Sequence, residues 1–143
     1  MTTTIEPIYQ AHATATGGRN GRATLDNGTL DIFLATPKEM GGTGKGNNPE
    51  QLFAIGYAAC FLGAMKAAGA QDKSLPKVPD DASIASSVGI GPRPGGFALA
   101  VELKVSLPGV ERAEAERLVQ AGDAICPYSH AVRGNIAVTL TVA

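Results

Sequence analysis

The pattern of hydrophobic and polar positions divides the chain into a strand-rich first third, a long apolar helix and a mixed second half. The first third predicts three short strands, over residues 9–16, 22–25 and 29–35. Asp26-Asn27-Gly28 separates the last two, and an Asn-Gly pair is typical of a tight hairpin turn. A glycine-dense loop over residues 37–47 follows, so the sequence predicts a small antiparallel sheet before the first helix.

Helix signals begin directly after this loop. Asn48 suits the N-cap, Pro49 suits the first helical position, and Gln51 stands three residues after the cap as in a capping box. We expect a helix over about residues 49–70, apolar nearly all round in its middle and therefore buried on more than one side. Small residues form a stripe along it that would let another backbone come close: Gly56, Ala59, Cys60, Gly63 and Ala67.

The second half predicts two strands over residues 83–91 and 96–107, a helix over 111–126 that Pro127 stops, and a closing strand over 136–142. The second of these strands alternates, with Glu102 and Lys104 facing away from its apolar side. The apolar side holds Phe97, Leu99, Val101, Leu103 and Val105. The order of strands, helix, strands, helix and strand is typical of an α+β protein, and residues 1–143 have the length of a single domain.

Composition narrows the function classes. The chain has 143 residues, 44% of them apolar and 17% charged, which is a globular composition. A net charge of −1 argues against a nucleic-acid partner, since phosphate binding needs a cationic excess. The longest apolar run, residues 52–65, has 14 residues and is short of the ~20 that a membrane span needs. The N-terminus lacks the features of a signal peptide, so we expect a soluble cytoplasmic protein.

The glycine-rich segment over residues 41–46 has the look of a phosphate-binding loop. It fails the P-loop pattern, because Lys45 is followed by glycine and Glu39 stands where the first glycine belongs. We therefore expect a lid or a tight turn before the helix.

A zinc site is the next alternative. Cys60 and Cys126 are far apart in the sequence, and only Cys126 and His130 have close spacing. Structural zinc sites use short paired spacings such as C-x₂₋₄-C, so we expect no metal.

The two cysteines have a structural and a functional interpretation. Each lies on an apolar helix face, where a cysteine is usually a small and inert core residue. The same placement would let Cys60 and Cys126 converge across a core. Polar groups beside the glycine turns and at the helix start, namely Arg19, Glu50 and Gln51, favour a reactive site. In a reducing compartment a catalytic or sensing pair is more plausible than a structural disulfide.

Five segments of this sequence resemble one known family, the organic hydroperoxide resistance (Ohr) proteins of the OsmC/Ohr superfamily. The segments are Thr14-Ala15-Thr16-Gly17-Gly18-Arg19, Asn48-Pro49-Glu50-Gln51-Leu52-Phe53, Ala58-Ala59-Cys60-Phe61, Cys126-Pro127-Tyr128-Ser129 and Arg133-Gly134-Asn135-Ile136. The resemblance implies a thiol peroxidase. It also implies antiparallel sheet elements packed around a buried central helix, and an intertwined homodimer with two active sites at its interface.

By this resemblance Cys60 is the peroxidatic cysteine and Cys126 the resolving one, and Arg19 and Glu50 match the activating pair of the family. The nucleophile must be a thiolate. Cys60 lies too deep in its helix for the N-terminal dipole, and burial raises a thiol pKa, so a guanidinium is needed. Arg19 would stabilise the thiolate and the peroxide, and Glu50 would orient Arg19.

Spacing adds a constraint on Glu50. It precedes Cys60 by ten residues, which is ~15 Å along one straight helix. The carboxylate therefore serves its own cysteine only if the helix is broken, and otherwise belongs to the site of a second subunit. We hypothesise a dimer-interface site built from both chains.

The resemblance also suggests the substrate and the reductant. Apolar residues that would line a pocket for alkyl or fatty-acid hydroperoxides are Met40, Phe53, Phe61 and Phe97, with ordinary core packing as the alternative for each. No cofactor is expected, and the external dithiol would be dihydrolipoamide on a lipoylated protein. Three other interpretations stay open: an OsmC-type peroxidase, a non-catalytic dimer that binds apolar ligands, and a structural dimer with inert thiols.

Overall fold

The structure is a computed structural model that describes residues 2–143. These residues form two compact units with the boundary between Pro49 and Glu50. The expected alternation of a small sheet, a long helix and a second sheet is present.

The first unit holds a three-stranded antiparallel sheet in the order β1 (Ala13–Thr16), β2 (Arg22–Leu25) and β3 (Asp31–Phe33). β1 is shorter than predicted, because Ala13 pairs with the last residue of β2 and the residues before it have no strand to pair with. The predicted turn between β2 and β3 is confirmed. The Asn27 side-chain oxygen accepts a 3.0 Å hydrogen bond from the Thr29 backbone N–H and so closes it.

A 3₁₀ turn over Gly18–Asn20 joins β1 to β2 and carries Arg19. The chain reverses here through Gly17 and Gly18, whose φ angles of 70° and 59° lie in the left-handed region that favours glycine. A second 3₁₀ turn, Lys38–Met40, lies in the glycine-dense loop. The loop precedes the helix as a set of tight turns.

The second unit contains all the longer elements. They are α1 (Pro49–Gln71), β4 (Ser83–Arg93), β5 (Gly96–Ser106), α2 (Arg112–Ile125), α3 (Pro127–Val132) and β6 (Ala137–Val142). β4 and β5 form a long antiparallel hairpin, in line with the expected antiparallel sheet elements, and β6 adds a parallel pairing with β5 that the sequence did not predict. The physical reason is the connection, because α2 and α3 form the crossover that parallel pairing requires.

The core of the second unit lies between α1, α2 and the inner face of this sheet. The predicted alternation of β5 is confirmed over its second half, where Val101, Leu103 and Val105 are buried and the residues between them are exposed. Phe97, at the start of the strand, is 66% exposed and does not belong to this core. The largest fully buried side chains of the core are Tyr57, Phe61, Met65, Leu103, Leu118, Val105 and Cys126.

Within the single chain, the fully buried residues of the long helix lie on one face. The buried residues, Tyr57, Phe61, Ala64, Met65 and Ala68, repeat at helical spacing. α1 is long and apolar enough to cross a membrane by length and composition alone. A core helix of a soluble protein has the same properties, and the buried residues of α1 belong to the core of the second unit.

Candidate active site

Cys60 and Cys126 meet in the second unit. The thiol of Cys126 donates a hydrogen bond to the sulfur of Cys60, and the two Sγ atoms are 3.8 Å apart. Both are free cysteines; Cys126 is fully buried and Cys60 is half-buried. The two cysteines thus converge across the core, as their apolar helix faces suggested. A disulfide bond is ~2.05 Å long, so a small side-chain movement would close it.

A short helix that the sequence analysis missed positions the second sulfur. Pro127 does not only stop α2, as expected, but begins α3, with Cys126 as its N-cap. Proline is favoured at the first position of a helix, and this signal would have identified α3. The Ser129 backbone N–H donates to Cys126 Sγ at 3.5 Å, so the cap holds this sulfur in place.

The surroundings of Cys60 oppose its ionisation. Burial raises the pKa of the Cys60 thiol, and the neighbouring Cys126 raises it further. A hydrogen bond from the backbone N–H of Tyr128 acts in the other direction and lowers this pKa. Because the reactive form of a cysteine is the thiolate, the expected role of Cys60 requires a group that lowers this pKa.

Three aromatic rings pack against one another beside the turns of α1 that precede Cys60. The Phe53 ring makes edge contacts with those of Tyr57 and Tyr128, with centroids 6.1 and 5.8 Å apart. Tyr128 also lies against Gly56, where an added Cβ would be 2.5 Å from the tyrosine hydroxyl oxygen. One residue of the small stripe thus makes room for a side chain. Gly63, farther along, has no neighbouring atom within 4 Å of such a Cβ.

A buried hydrogen bond joins α1 to α3 beside the cysteines. The hydroxyl groups of Tyr57 and Ser129 are 2.8 Å apart, and both residues are buried. Sequence reasoning missed this pair, because only the fold brings together residues that are 72 positions apart.

The predicted pocket residues separate into three environments. Phe53 and Phe97 line one groove of about 490 Å³, together with Arg93 and the apolar Leu99 and Ile136 among others. Phe61 is completely buried, which favours ordinary core packing for this residue. Met40 is 41% exposed and belongs to the first unit.

The two residues of the expected activating pair lie in different units. Arg19 is half-buried on the 3₁₀ turn of the first unit, and Glu50 is half-buried in the first turn of α1. Since α1 is one unbroken helix, Glu50 stays ~15 Å from Cys60 along its axis. Within residues 2–143 no group of three or more His, Cys, Asp and Glu side chains is placed to hold a metal ion.

Comparison with known proteins gives the family. Residues 42–141 match the family model described as OsmC-like protein. The organic hydroperoxide resistance protein of Xanthomonas axonopodis pv. citri (strain 306) is 60% identical over 95% of both chains. The organic hydroperoxide resistance protein OhrB of Bacillus subtilis (strain 168) is 39% identical over 93% of this chain and 96% of its own.

Solved structures agree with the sequence relatives. The crystal structure of OhrB from Bacillus subtilis superposes with a TM-score of 0.85 and 39% identity, covering 96% of this chain and 100% of that one. An organic hydroperoxide resistance protein from Legionella pneumophila superposes with a TM-score of 0.89 and 44% identity, over 96% of this chain and 99% of that one. The α+β fold, the paired cysteines and these relatives together show that this chain belongs to the organic hydroperoxide resistance branch of the OsmC/Ohr family.

Proposed function

We propose that this protein is a cysteine-based peroxidase that reduces organic hydroperoxides to alcohols and so protects against oxidative stress. The observation that carries the proposal is the Cys60–Cys126 pair, with sulfurs 3.8 Å apart in the core of a chain whose relatives are named for organic hydroperoxide resistance. Two free thiols in contact, one half-exposed and one buried, suit a nucleophile and a resolving partner.

The catalytic cycle has three balanced steps. In the first step, the Cys60 thiolate attacks the terminal oxygen of ROOH and the O–O bond breaks. The alkoxide takes a proton and leaves as ROH, and Cys60 is oxidised to a sulfenic acid. The Cys126 thiol then attacks the Cys60 sulfur, forming the disulfide and releasing water. An external dithiol reduces this disulfide by exchange and is itself oxidised.

Activation of Cys60 is assigned to Arg19 and Glu50. A guanidinium stays charged at any working pH and stabilises both the thiolate and the developing charge on the peroxide, which offsets the pKa increase from burial. Glu50 holds the guanidinium by a bidentate contact. Because ~15 Å of unbroken helix separates Glu50 from Cys60, we assign this carboxylate to the site of the partner subunit in a homodimer.

The substrate class is inferred from the apolar side chains expected to form the pocket. Phe53 and Phe97 line an open groove, Met40 is exposed in the first unit, and burying an alkyl tail gains ~0.8 kcal/mol per methylene. Alkyl and fatty-acid hydroperoxides are therefore preferred over hydrogen peroxide. The cycle uses no metal or prosthetic group; its reductant is dihydrolipoamide on a lipoylated protein, and its place is the cytoplasm.

The test is a free-thiol titration of reduced protein with one equivalent of cumene hydroperoxide and, in parallel, hydrogen peroxide. Wild type should lose both thiols rapidly and faster with the organic peroxide. Cys60→Ser should retain its remaining thiol, whereas Cys126→Ser should lose the Cys60 thiol without forming an intrachain disulfide. Slow and equal loss in all three proteins would contradict the proposal and favour a dimer that binds apolar ligands without catalysis.

A further inference from the structure

The short helix α3 is fixed at both ends to its neighbours. Near its start, the Ser129 hydroxyl shares a 2.8 Å hydrogen bond with the Tyr57 hydroxyl of α1. At its end, the Arg133 guanidinium donates to the Asp123 carbonyl oxygen of α2 at 2.7 Å. α3 is therefore held between the two longer helices and not only by the chain that connects it to α2.

The bond at the start of α3 is the buried one. Tyr57 is completely buried and Ser129 is 2% exposed, and each hydroxyl finds its hydrogen-bond partner in the other. Leaving a buried hydroxyl without a partner is costly, which makes this geometry strongly preferred. Arg133, in contrast, is half-exposed, and water can replace its bond.

Ser129 also connects the bond to the sulfur chemistry. Its backbone N–H donates to Cys126 Sγ at 3.5 Å, and the adjacent Tyr128 backbone bonds Cys60. The first turn of α3 thus touches both sulfurs through consecutive residues. A shift of Ser129 would therefore weaken the contact that holds Cys126 Sγ.

We propose that the Tyr57–Ser129 hydrogen bond is a positioning device that keeps Cys126 within reach of oxidised Cys60. The inference rests on the proposed peroxidase function and concerns its second step. It decides between two fates of the Cys60 sulfenic acid. Attack by the Cys126 thiol gives the disulfide and water, whereas attack on a second ROOH gives Cys60 sulfinic acid and ROH, an irreversible loss.

The two steps of the cycle separate a positioning role from a general structural one. Formation of the sulfenic acid needs Cys60 and the peroxide but not the position of Cys126. Disulfide closure needs both sulfurs aligned, and a misplacement of about 1 Å costs up to about 10²-fold in rate. Loss of the Tyr57–Ser129 bond should therefore slow the second step far more than the first, which senses α3 only through the Tyr128 backbone contact to Cys60.

The variants are Tyr57→Phe, which keeps the ring, Ser129→Ala, and the double variant. Tyr9→Phe and Ser87→Ala remove exposed hydroxyls and serve as matched controls. Reduced protein is mixed with one equivalent of cumene hydroperoxide, and rapid quenching follows cumyl alcohol release as the first step and loss of the second thiol as the next. In a second experiment, each protein is treated with excess cumene hydroperoxide, and the Cys60 sulfinic acid that forms is quantified by mass spectrometry.

We expect alcohol release to change much less than disulfide closure in every variant. Disulfide closure should be slower by about tenfold or more in both single variants and the double one, which share one broken bond and so should not add. Sulfinic acid should accumulate in these three proteins and not in the controls. The double variant removes both hydroxyls, so no buried hydroxyl is left without a partner and thermal stability should recover. Its disulfide should still form slowly, which distinguishes an effect on the position of Cys126 from an effect on stability.

Wild-type closure rates in the single variants would overturn the inference, as would equal slowing of both steps. If the double variant recovered both its thermal stability and the wild-type rate of disulfide closure, the hydrogen bond would have a structural role only, and the inference would also be overturned. A wild-type protein that releases no alcohol would instead contradict the proposed function itself.

Discussion

The two faces of α1 are both apolar, but the fold treats them differently. One face, with Tyr57, Phe61 and Met65, is completely buried against the rest of the second unit. The other exposes Ile55 to 67% and presents Ala59 and Gly63 to the outside. The first face stabilises the chain itself. The second is apolar and lined with small residues without contributing to this core, which is the pattern that a closely packed second helix requires.

Cys60 lies where these two faces meet. Cys126 is on its inner side, fully buried, whereas Cys60 is half-buried. In the roles proposed above, Cys60 must be reached by peroxide from outside, and Cys126 must be kept from it. The boundary between a covered and an uncovered helix face provides both conditions at once.

The largest expected effect comes from deleting a side chain on the covered face. Phe61→Ala should lower the free energy of unfolding by about 3–5 kcal/mol, because it removes a completely buried ring and leaves a cavity. Ile55→Ala, on the uncovered face, should change the unfolding of the single chain by less than about 0.5 kcal/mol. Urea denaturation at low protein concentration measures both. Equal losses would show that the two faces are not different.

A charge on the uncovered face should break association instead of folding. Ala59→Glu places a carboxylate where we propose that a second α1 packs, and should weaken the dimer by at least about 100-fold, or 2.7 kcal/mol. Because the proposed site needs Glu50 of the partner subunit, turnover should fall with it. Sedimentation velocity and peroxidase assays check this, with the exposed Ser87→Glu as control. A fully active monomer would contradict the dimer-interface site.

Two glycines test the faces on a smaller scale. At Gly122 of α2, an added Cβ would be 3.3 Å from the backbone of Met65 and closer still to its side chain, so Gly122→Ala should cost about 1–3 kcal/mol. Gly63 is open within the chain, and Gly63→Ala should stabilise the helix by up to about 1 kcal/mol at dilutions that favour the monomer. Thermal unfolding distinguishes the expected loss of stability in Gly122→Ala from the expected gain in Gly63→Ala. A destabilised Gly63→Ala monomer would contradict the assignment of faces.

The smallest expected effect is a dependence of stability on pH. In an Arg19→Ala background, burial keeps the pKa of Cys60 above its value in the unfolded chain, so the folded protein holds this proton more tightly. The stability that this provides is complete below the unfolded thiol pKa, about 8.5, and is lost as the pH rises through the folded pKa. The unfolding free energy should fall with alkaline pH more steeply than in Arg19→Ala/Cys60→Ser. Parallel curves would show that the pKa of Cys60 is not raised.

Local signals in the sequence predicted much of the fold. Asn48, Pro49 and the Asn27-Gly28 turn act on neighbouring residues, and the start of α1 and the hairpin are where they indicated. The parallel pairing of β6 with β5 and the burial of only one face of α1 depend on distant partners, which no local pattern encodes. Because α1 is apolar on all sides, its sequence does not indicate which other element packs against which of its faces.

The candidate site shows the same division. Cys60 and Cys126 were identifiable as a pair from their apolar helix faces and from the family resemblance. The prediction of a helix stop at Pro127 leaves out α3, because proline ends one helix and also starts another. The bond between Tyr57 and Ser129 had no signal in either segment, since a lone tyrosine and a lone serine have no preferred partner until the chain has folded.

The most direct test of the account is a single turnover analysed by non-reducing peptide mapping. Reduced protein receives one equivalent of cumene hydroperoxide, and both the cumyl alcohol and the cysteine peptides are quantified. We expect one alcohol released for each disulfide formed, with the disulfide joining Cys60 to Cys126 within one chain. Alcohol without this disulfide, or both cysteines recovered as free thiols, would contradict it.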